Sequence, residues 1–423
     1  MTVPTVRAQA YRPRVIDAVI RDRLTSSGAV LLEGPKACGK TFTAEQHAAS
    51  ALYLDLNAQA RAAIQVDPSL ALEGQPPQLV DEWQLEATTV WNHVRDRANR
   101  AGPGQFILTG SAVPDDDADR HTGAGRFARL RMRPMSLFES GESTGVMSLS
   151  DLLAGNRPTS PETALTITRV LETVVRGGWP MNLELEVEAA ATANRDYLRS
   201  IAEVDIARVD PARRDPERAR RLLMALARNV AMEHSVTRLT AEADAADGGL
   251  ARSTTYDYLN AFERLMVIEQ QPAWVTHLRS RARLRSKART HFIDPSLAVA
   301  ALSTGVDGLR RDLNAFGYLF ESLVVRDMRV YADRLEGTVF HYRDSDELEV
   351  DIVVQAGGGW GAFEVKLGNA QIDEAAAKLL AFAAKVDTST VGDPGVLAVV
   401  TATGFGYTRE DGVVVIPIGA LGP

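Results

Sequence analysis

Across residues 1–155 short apolar runs alternate with stretches of helical periodicity, the pattern of a parallel sheet wound with helices. The predicted strands are Val30–Glu33, Leu52–Leu56, Gln78–Asp81, Gln105–Thr109 and Leu130–Met132, with helix-forming residues Phe42–Ala49 after the first. A loop rich in Asp and Gly, Val113–Gly125, separates the last two strands. From 162 to 234 the pattern turns helical, broken by Gly177-Gly178-Trp179-Pro180 and bounded by Asp210-Pro211 and Asp215-Pro216. Residues 216–275 predict three helices and a short hairpin. Leu222, Leu223, Leu226 and Val230 recur at helical spacing within Arg218–His234, a short helix covers Arg238–Ala243, and Ser253 caps a third running through Met266. Val267–Glu269 and Ala273–Val275, separated by Gln270–Pro272, are expected to pair as a wing. The remainder predicts a helix Phe316–Asp333, strands Thr338–Arg343, Leu348–Gln355 and Gly361–Leu367, a helix Asp373–Val386, and strands Val396–Ala402 and Val413–Ile418.

At 423 residues the chain exceeds one compact core, so several domains are expected. A hydrophobic content of 45% and a charged content of 24% are those of an ordinary soluble protein. No run of about eighteen apolar residues exists, and Met1–Ala10 lacks the apolar core of a signal peptide. The expectation is a cytoplasmic protein with no membrane partner. The only cysteine is Cys38, which precludes an intrachain disulfide and fits a reducing compartment. A net charge of −8 argues against coating nucleic acid through the overall field. Locally, Arg279, Arg281, Arg283, Arg285, Lys287 and Arg289 recur every second residue, which in an extended segment would put six positive charges on one face.

The densest chemistry lies at Gly34-Pro35-Lys36-Ala37-Cys38-Gly39-Lys40-Thr41, a complete phosphate-binding loop (Walker A) between the first strand and the helix opened by Phe42. Its glycines let backbone N–H groups face phosphates at the positive end of a helix, Lys40 supplies a point charge for the β- and γ-phosphates, and the Thr41 hydroxyl is placed to ligate Mg²⁺. This pattern implies ATP and Mg²⁺ as ligands. Alkylating Cys38 would crowd the phosphates. About forty residues on, Leu79-Val80-Asp81-Glu82 ends an apolar strand in two acids. Asp81 would orient the metal, and Glu82 would polarise the attacking water as general base. Ile107-Leu108-Thr109-Gly110-Ser111 ends a further strand in hydroxyls; Ser111 is the γ-phosphate sensor candidate and Thr109 the reserve. Among Arg126, Arg129, Arg131 and Arg133, Arg126 is the first candidate for an arginine finger reaching a neighbouring subunit, which would require a homo-oligomer.

A second constellation sits near the C-terminus. Asp351 in Glu349-Val350-Asp351-Ile352 and Glu364 and Lys366 in Glu364-Val365-Lys366 lie on consecutive predicted strands, and Glu321 lies on the preceding helix. If the strands form a hairpin, the carboxylates can hold a divalent metal while the lysine supports an attacking water, as phosphodiester cleavage by a PD-(D/E)xK nuclease requires.

Together these motifs resemble the bacterial and archaeal AAA-type ATPases with a C-terminal domain of unknown function. The likeness also covers Val80-Asp81-Glu82-Trp83-Gln84, Pro134-Met135-Ser136-Leu137-Phe138-Glu139, Gly177-Gly178-Trp179-Pro180, Thr254-Thr255-Tyr256-Asp257-Tyr258-Leu259 and Phe320-Glu321. Lys36-Ala37 stand where relatives tend to carry Arg-Gln, and the loop Asp115–Asp119 is unusually acidic. The resemblance implies an α/β fold: a P-loop ATPase core over 1–160, a helical lid over 161–215, a winged helix-turn-helix over 216–289, and a restriction-endonuclease-like domain over 290–423. It implies Mg²⁺-dependent ATP hydrolysis coupled to binding, remodelling or processing of DNA, whether duplex, fork or junction. Polar residues Thr254, Thr255, Tyr256 and Asn260 on the third helix would touch phosphates or base edges. The alternative is an ATP-switched interaction, signalling or defence ATPase whose nuclease-like domain is inactive. A small-molecule kinase would need an acceptor pocket that no motif supplies.

Overall fold

The structure, a computed structural model, describes residues 11–110, 125–209, 215–244, 250–275 and 287–423. Among these, one compact unit gathers 11–32, 39–110 and 125–130, and a second gathers 33–38 and everything from 131 onward. The fold is α/β throughout, with a parallel sheet in the N-terminal region and a separate mixed sheet in the C-terminal one. No described helix is long and apolar enough to cross a membrane.

The first sheet comprises β1 (Ala29–Glu33), β2 (Ser50–Tyr53), β3 (Gln78–Asp81), β4 (Phe106–Gly110) and β5 (Phe127–Arg131), in the order β2-β3-β4-β1-β5. The pairs β2/β3 and β3/β4 run parallel. β3 and β4 are buried along their whole length, as central strands covered on both faces must be, and read in sequence as continuous apolar runs. β2 starts two residues before the predicted position and stops at Tyr53; Leu54 is buried behind it and Leu56 is 81% exposed. Helix Ala87–Ala101 lays Trp91 against β5, its ring stacked on Phe127 at 4.0 Å.

In the second unit, β6 (Met147–Ser148) precedes helices Ile167–Arg176 and Val187–Ser200, the latter continuing into a π-turn at Ile201–Asp205. The break between the two helices depends on glycine. Gly177 has φ +77°, and a Cβ on Gly178 would lie 2.0 Å from the Met135 carbonyl oxygen. The Gly178 N–H donates to the Asp294 carboxylate at 3.0 Å.

The next helices are Pro216–Arg228, Val236–Asp244 and Arg252–Arg264. The first begins at 216 because the Asp215 side chain caps it and a proline fits its first turn. The third begins at Arg252 behind Ala251, so Ser253 lies in its first turn and does not cap it. The wing also differs from expectation: β7 (Ile268–Gln271) pairs antiparallel with β8 (Arg289–Phe292). Ala273 instead bridges to His341, and buried Gln271 donates to the Phe340 and Asp351 carbonyls at 2.9 Å each, drawing this stretch onto the C-terminal sheet. Trp274 follows it into that core, 5.0 Å from Trp360.

That sheet contains β9 (Thr338–Arg343), β10 (Glu349–Ala356), β11 (Gly359–Lys366), β12 (Val396–Thr401), β13 (Tyr407–Thr408) and β14 (Val414–Pro417), ordered β13-β14-β12-β11-β10-β9. β10 and β11 form the expected hairpin, with Ile352 opposite Phe363. Its two-residue turn, Gly357-Gly358, has both φ angles positive, which glycine alone adopts without cost and which matches strand twist. β11 and β12, and β12 and β14, run parallel. A final strand, β15 (Leu421–Gly422), returns to pair with β6. Helices Leu313–Arg334 and Ile372–Lys385 complete the region.

A buried charge ties these parts together. Glu269 on β7 accepts from Arg131 at 3.0 Å, from Arg133 at 2.6 and 2.9 Å, and from Arg329 at 3.1 Å, and Arg133 also reaches Asp333. Burial alone would push the Glu269 carboxyl up, but the arginines hold it well below the usual carboxylate range. A carboxyl with a depressed folded-state pKa contributes stability above its unfolded pKa and loses it as pH falls. Glu269→Gln is therefore expected to cost about 3–5 kcal/mol at neutral pH, a deficit that narrows as wild type is acidified below about pH 4.5. Urea denaturation of both chains across pH measures it.

Candidate active site

Residues 34–41 carry the chain from β1 into helix Lys40–Glu45. Ala37 (φ +62°) and Gly39 (φ +101°) are left-handed, and Gly39 is the helix N-cap. Alternation between right- and left-handed residues turns successive N–H groups toward one concave side, the geometry that binds an anion. At Gly34 a Cβ would lie 2.3 Å from the Met132 carbonyl oxygen, so no larger residue fits beside Pro35. Cys38 is fully buried with its Sγ 3.7 Å from that same oxygen. The thiol is thus a core group and a poor probe, and alkylation requires the loop to open. Phe42 is 62% exposed and Lys40 is buried.

Asp81 ends β3 directly opposite Thr109 of β4. Its carboxylate accepts from the Thr41 hydroxyl at 3.1 and 3.2 Å and from the Thr109 hydroxyl. Burial raises the Asp81 pKa, which the two hydroxyls oppose. Thr109 therefore serves Asp81, while Ser111 lies outside the described residues. Glu82 is left-handed at φ +53°, which turns it off the strand direction, and its carboxylate accepts the Gln84 side-chain amide. A non-glycine residue held there costs of order 1 kcal/mol, a strain common at functional sites. The Thr41 hydroxyl and Asp81 carboxylate are hard oxygen donors in mutual contact, suited to Mg²⁺. Among the described residues no group of three His, Cys, Asp or Glu is arranged to hold a metal unaided, as expected where most remaining ligands would be phosphate and water.

Of the arginines, Arg126 is exposed and donates to the Asn99 side chain, and Arg129 lies 5.6 Å from the Trp91 ring centroid. Arg131 and Arg133 are committed to Glu269. Two features carry no local sequence signal. Lys36 forms an ion pair with Asp205, a buried residue in the π-turn, 169 positions away. Near the N-terminus, the Tyr11 hydroxyl donates to Asp17 at 2.7 Å, and His47, just past the loop's helix, lies 2.9 Å from the same carboxylate.

On the C-terminal sheet, Glu321, Asp351, Glu364 and Lys366 do come together. The Glu364 carboxylate takes Lys366 at 3.0 Å and Lys378 at 3.0 Å, and Asp351 accepts from the Val365 N–H at 2.9 Å. Burial, then the Asp351 charge, pushes Glu364 up to about 7 and Glu321 well above the carboxylate range. Arg289, the last residue of the period-two basic run, is buried, 3.0 Å from Glu321 and 3.1 Å from Glu349. Its neighbours Arg279, Arg281, Arg283 and Arg285 lie outside the described residues. On helix Arg252–Arg264, Tyr256 and Asn260 are exposed, but Thr255 is buried against Thr240 at 2.8 Å and is unavailable to nucleic acid.

A β2-β3-β4-β1-β5 sheet with a phosphate-binding loop after β1 and an acidic pair after β3 defines the class of P-loop nucleoside triphosphatase domains. Within that class, residues 26–140 match a family described as AAA domain. Residues 167–308 and 316–421 match two further families, each described as a domain of unknown function (DUF8612 and DUF4143). Residues 26–140 are thus an AAA-type P-loop domain, and residues 316–421 belong to a family of unknown function. No curated protein matches the sequence. Similar solved structures include a Walker-type ATPase of Pyrococcus abyssi, at 13% identity and TM-score 0.43, covering 71% of this chain and 99% of that one. Another is the Aeropyrum pernix ORC1 protein in complex with DNA, at 13% identity and TM-score 0.26, covering 72% and 97%. Both likenesses are loose.

The Lys36–Asp205 pair yields a test. Lys36 is 37% solvent-exposed along its side chain, so screening limits the pair to about 1 kcal/mol or less. Asp205→Ala is expected to weaken nucleotide affinity up to about fivefold, with Lys36→Met giving the same loss and the double substitution no more. Titration with a fluorescent ATP analogue measures all three.

Proposed function

We propose that this protein is a Mg²⁺-dependent ATP hydrolase that couples hydrolysis to binding and remodelling of DNA. The observation that carries the hydrolytic reading is the contact of Thr41 with Asp81 beside buried Lys40, within a segment that matches the AAA family. In this reading the 34–39 backbone and Lys40 hold the phosphates. Mg²⁺, when bound, supplies positive charge to the β- and γ-phosphate oxygens. Thr41 and Asp81 hold the metal, Thr109 fixes the Asp81 carboxylate, and Glu82 accepts a proton from the attacking water. Gln84 holds the Glu82 carboxylate in place. Ser111 as γ-phosphate sensor and Arg126 as a finger for a neighbouring copy complete the proposal.

For the DNA arm, support comes from exposed Arg252, Tyr256 and Asn260 on one helix and from the basic run that ends at Lys287. A winged-helix role for residues 216–289 belongs to this proposal. A second reading, an ATP-switched protein-interaction module, is favoured by the net charge of −8 and by burial of Arg289, which removes one cation from the basic run.

The test is one ATPase assay with and without duplex, fork and junction DNA, run on wild type, Glu82→Gln and Lys366→Ala. Glu82→Gln is expected to lower turnover by about 10²–10⁴-fold while retaining ATP binding. DNA-stimulated turnover that survives Lys366→Ala supports the coupled ATPase. No DNA response in any structure selects the protein-interaction reading, and wild-type turnover in Glu82→Gln overturns the assignment of the base.

A further inference from the structure

The sequence places Glu321, Asp351, Glu364 and Lys366 as a metal-dependent phosphodiester-cutting centre, and the structure gathers all four, yet their geometry does not fit a divalent metal. Every carboxylate already has a cationic or N–H partner. Arg289 Nη1 lies 3.0 Å from Glu321 Oε1 and 3.8 Å from Asp351 Oδ1, bridging the two carboxylates that would chelate an ion. Its Nη2 lies 3.1 Å from Glu349, whose other oxygen takes Arg343 at 2.9 Å. The second Asp351 oxygen is occupied by the Val365 N–H, and both Glu364 oxygens are occupied by Lys366 and Lys378.

Four cations (Arg289, Arg343, Lys366, Lys378) already serve the four carboxyl groups (Glu321, Glu349, Asp351, Glu364), at least one positive charge for each negative one. A divalent ion added to this set would leave positive charge uncompensated beside Glu321, Asp351 and Glu364, which are buried. A guanidinium suits the place better, because it stays charged when buried and its planar fork contacts several carboxylates at once.

We infer that this cluster takes Arg289 as its resident cation in place of a metal and works as an ion lock that fastens β8 to β10 and to helix Leu313–Arg334. The cluster then cannot cut a phosphodiester by a metal-dependent route. This inference is independent of the ATPase reading.

Mn²⁺ binding tests it, read from the electron paramagnetic resonance signal of free Mn²⁺ over the nucleotide-free full chain. An Asp81→Asn background removes the oxygen pair at the phosphate loop. That background chain is expected to bind no Mn²⁺ that depends on Asp351, and its thermal unfolding midpoint should be the same in EDTA and in Mn²⁺. Adding Arg289→Met should lower the midpoint and create one Mn²⁺ site that disappears with Asp351→Asn. If Arg289→Met fails to fold, the lock is supported and the titration of the Arg289 chain decides the metal question. Mn²⁺ binding with Arg289 present that is lost in Asp351→Asn overturns the inference. So does a folded Arg289→Met chain that takes no Mn²⁺, or Mn²⁺-dependent DNA cleavage abolished by Lys366→Ala.

Discussion

A charge enters a protein interior only with a partner, and helix Leu313–Arg334 takes that rule further than any other element described. Glu321, Arg326, Asp327 and Arg329 are all buried on it, among Phe316, Phe320, Leu323, Val324, Met328 and Tyr331. Three of them reach counter-charges on other elements, and Asp327 pairs with its neighbour Arg326. Arg329 meets Glu269 on β7, Arg326 meets Asp294 at 2.7 Å and its own neighbour Asp327 at 2.6 Å, and Glu321 meets Arg289 on β8. Desolvating an ion costs several kcal/mol even after relaxation, so a displacement of this helix by one turn would strand charges at several points together. The apolar residues supply most of the driving force, and the ions decide which packing is allowed.

Much of the fold was readable in the chain because its cues are local. β3 and β9 match their predicted bounds to the residue, each a short stretch carrying β-branched or aromatic residues between breaks in the pattern. The phosphate-binding loop is likewise a contiguous signature, and Asp81 follows it at the end of an apolar strand. What could not be read was pairing over long separations. Nothing near Asp205 announces Lys36, and nothing near Arg289 distinguishes it from five other basic residues at the same spacing. The period-two pattern stated only that an extended segment would put these charges on one face; Arg289 does lie on a strand, but alternation alone does not say whether that face meets solvent or the interior. The wing failed for a related reason. Pro272 and the Gln271 amide commit the stretch to the C-terminal sheet, and a proline following a short strand reads equally well as a turn.

The phosphate-binding loop is held more firmly than its glycine content implies. Thr41 is tied to Asp81, Lys36 to the π-turn, Cys38 is sealed in the core, and Gly34 abuts the Met132 carbonyl. A π-turn widens the helix by one residue per turn, and such turns recur at functional sites. Here it carries Asp205, whose side chain meets Lys36 of the loop. The difference between Lys36-Ala37 and the Arg-Gln of relatives therefore concerns more than the backbone, because the Lys36 side chain pairs with Asp205.

The ions on helix Leu313–Arg334 also bear on how this region acquires its structure. Its counter-charges lie on β7, on β8, and at Asp294 just beyond β8, so the helix cannot reach its final place before those strands do, nor they before it, without leaving an ion dry and alone. Docking by halves is penalised from both sides. Such a region should melt and form as a single cooperative block, with its backbone amides sharing one opening free energy, and in related chains the partners at 289 and 321, or at 294 and 326, should be replaced together or left untouched.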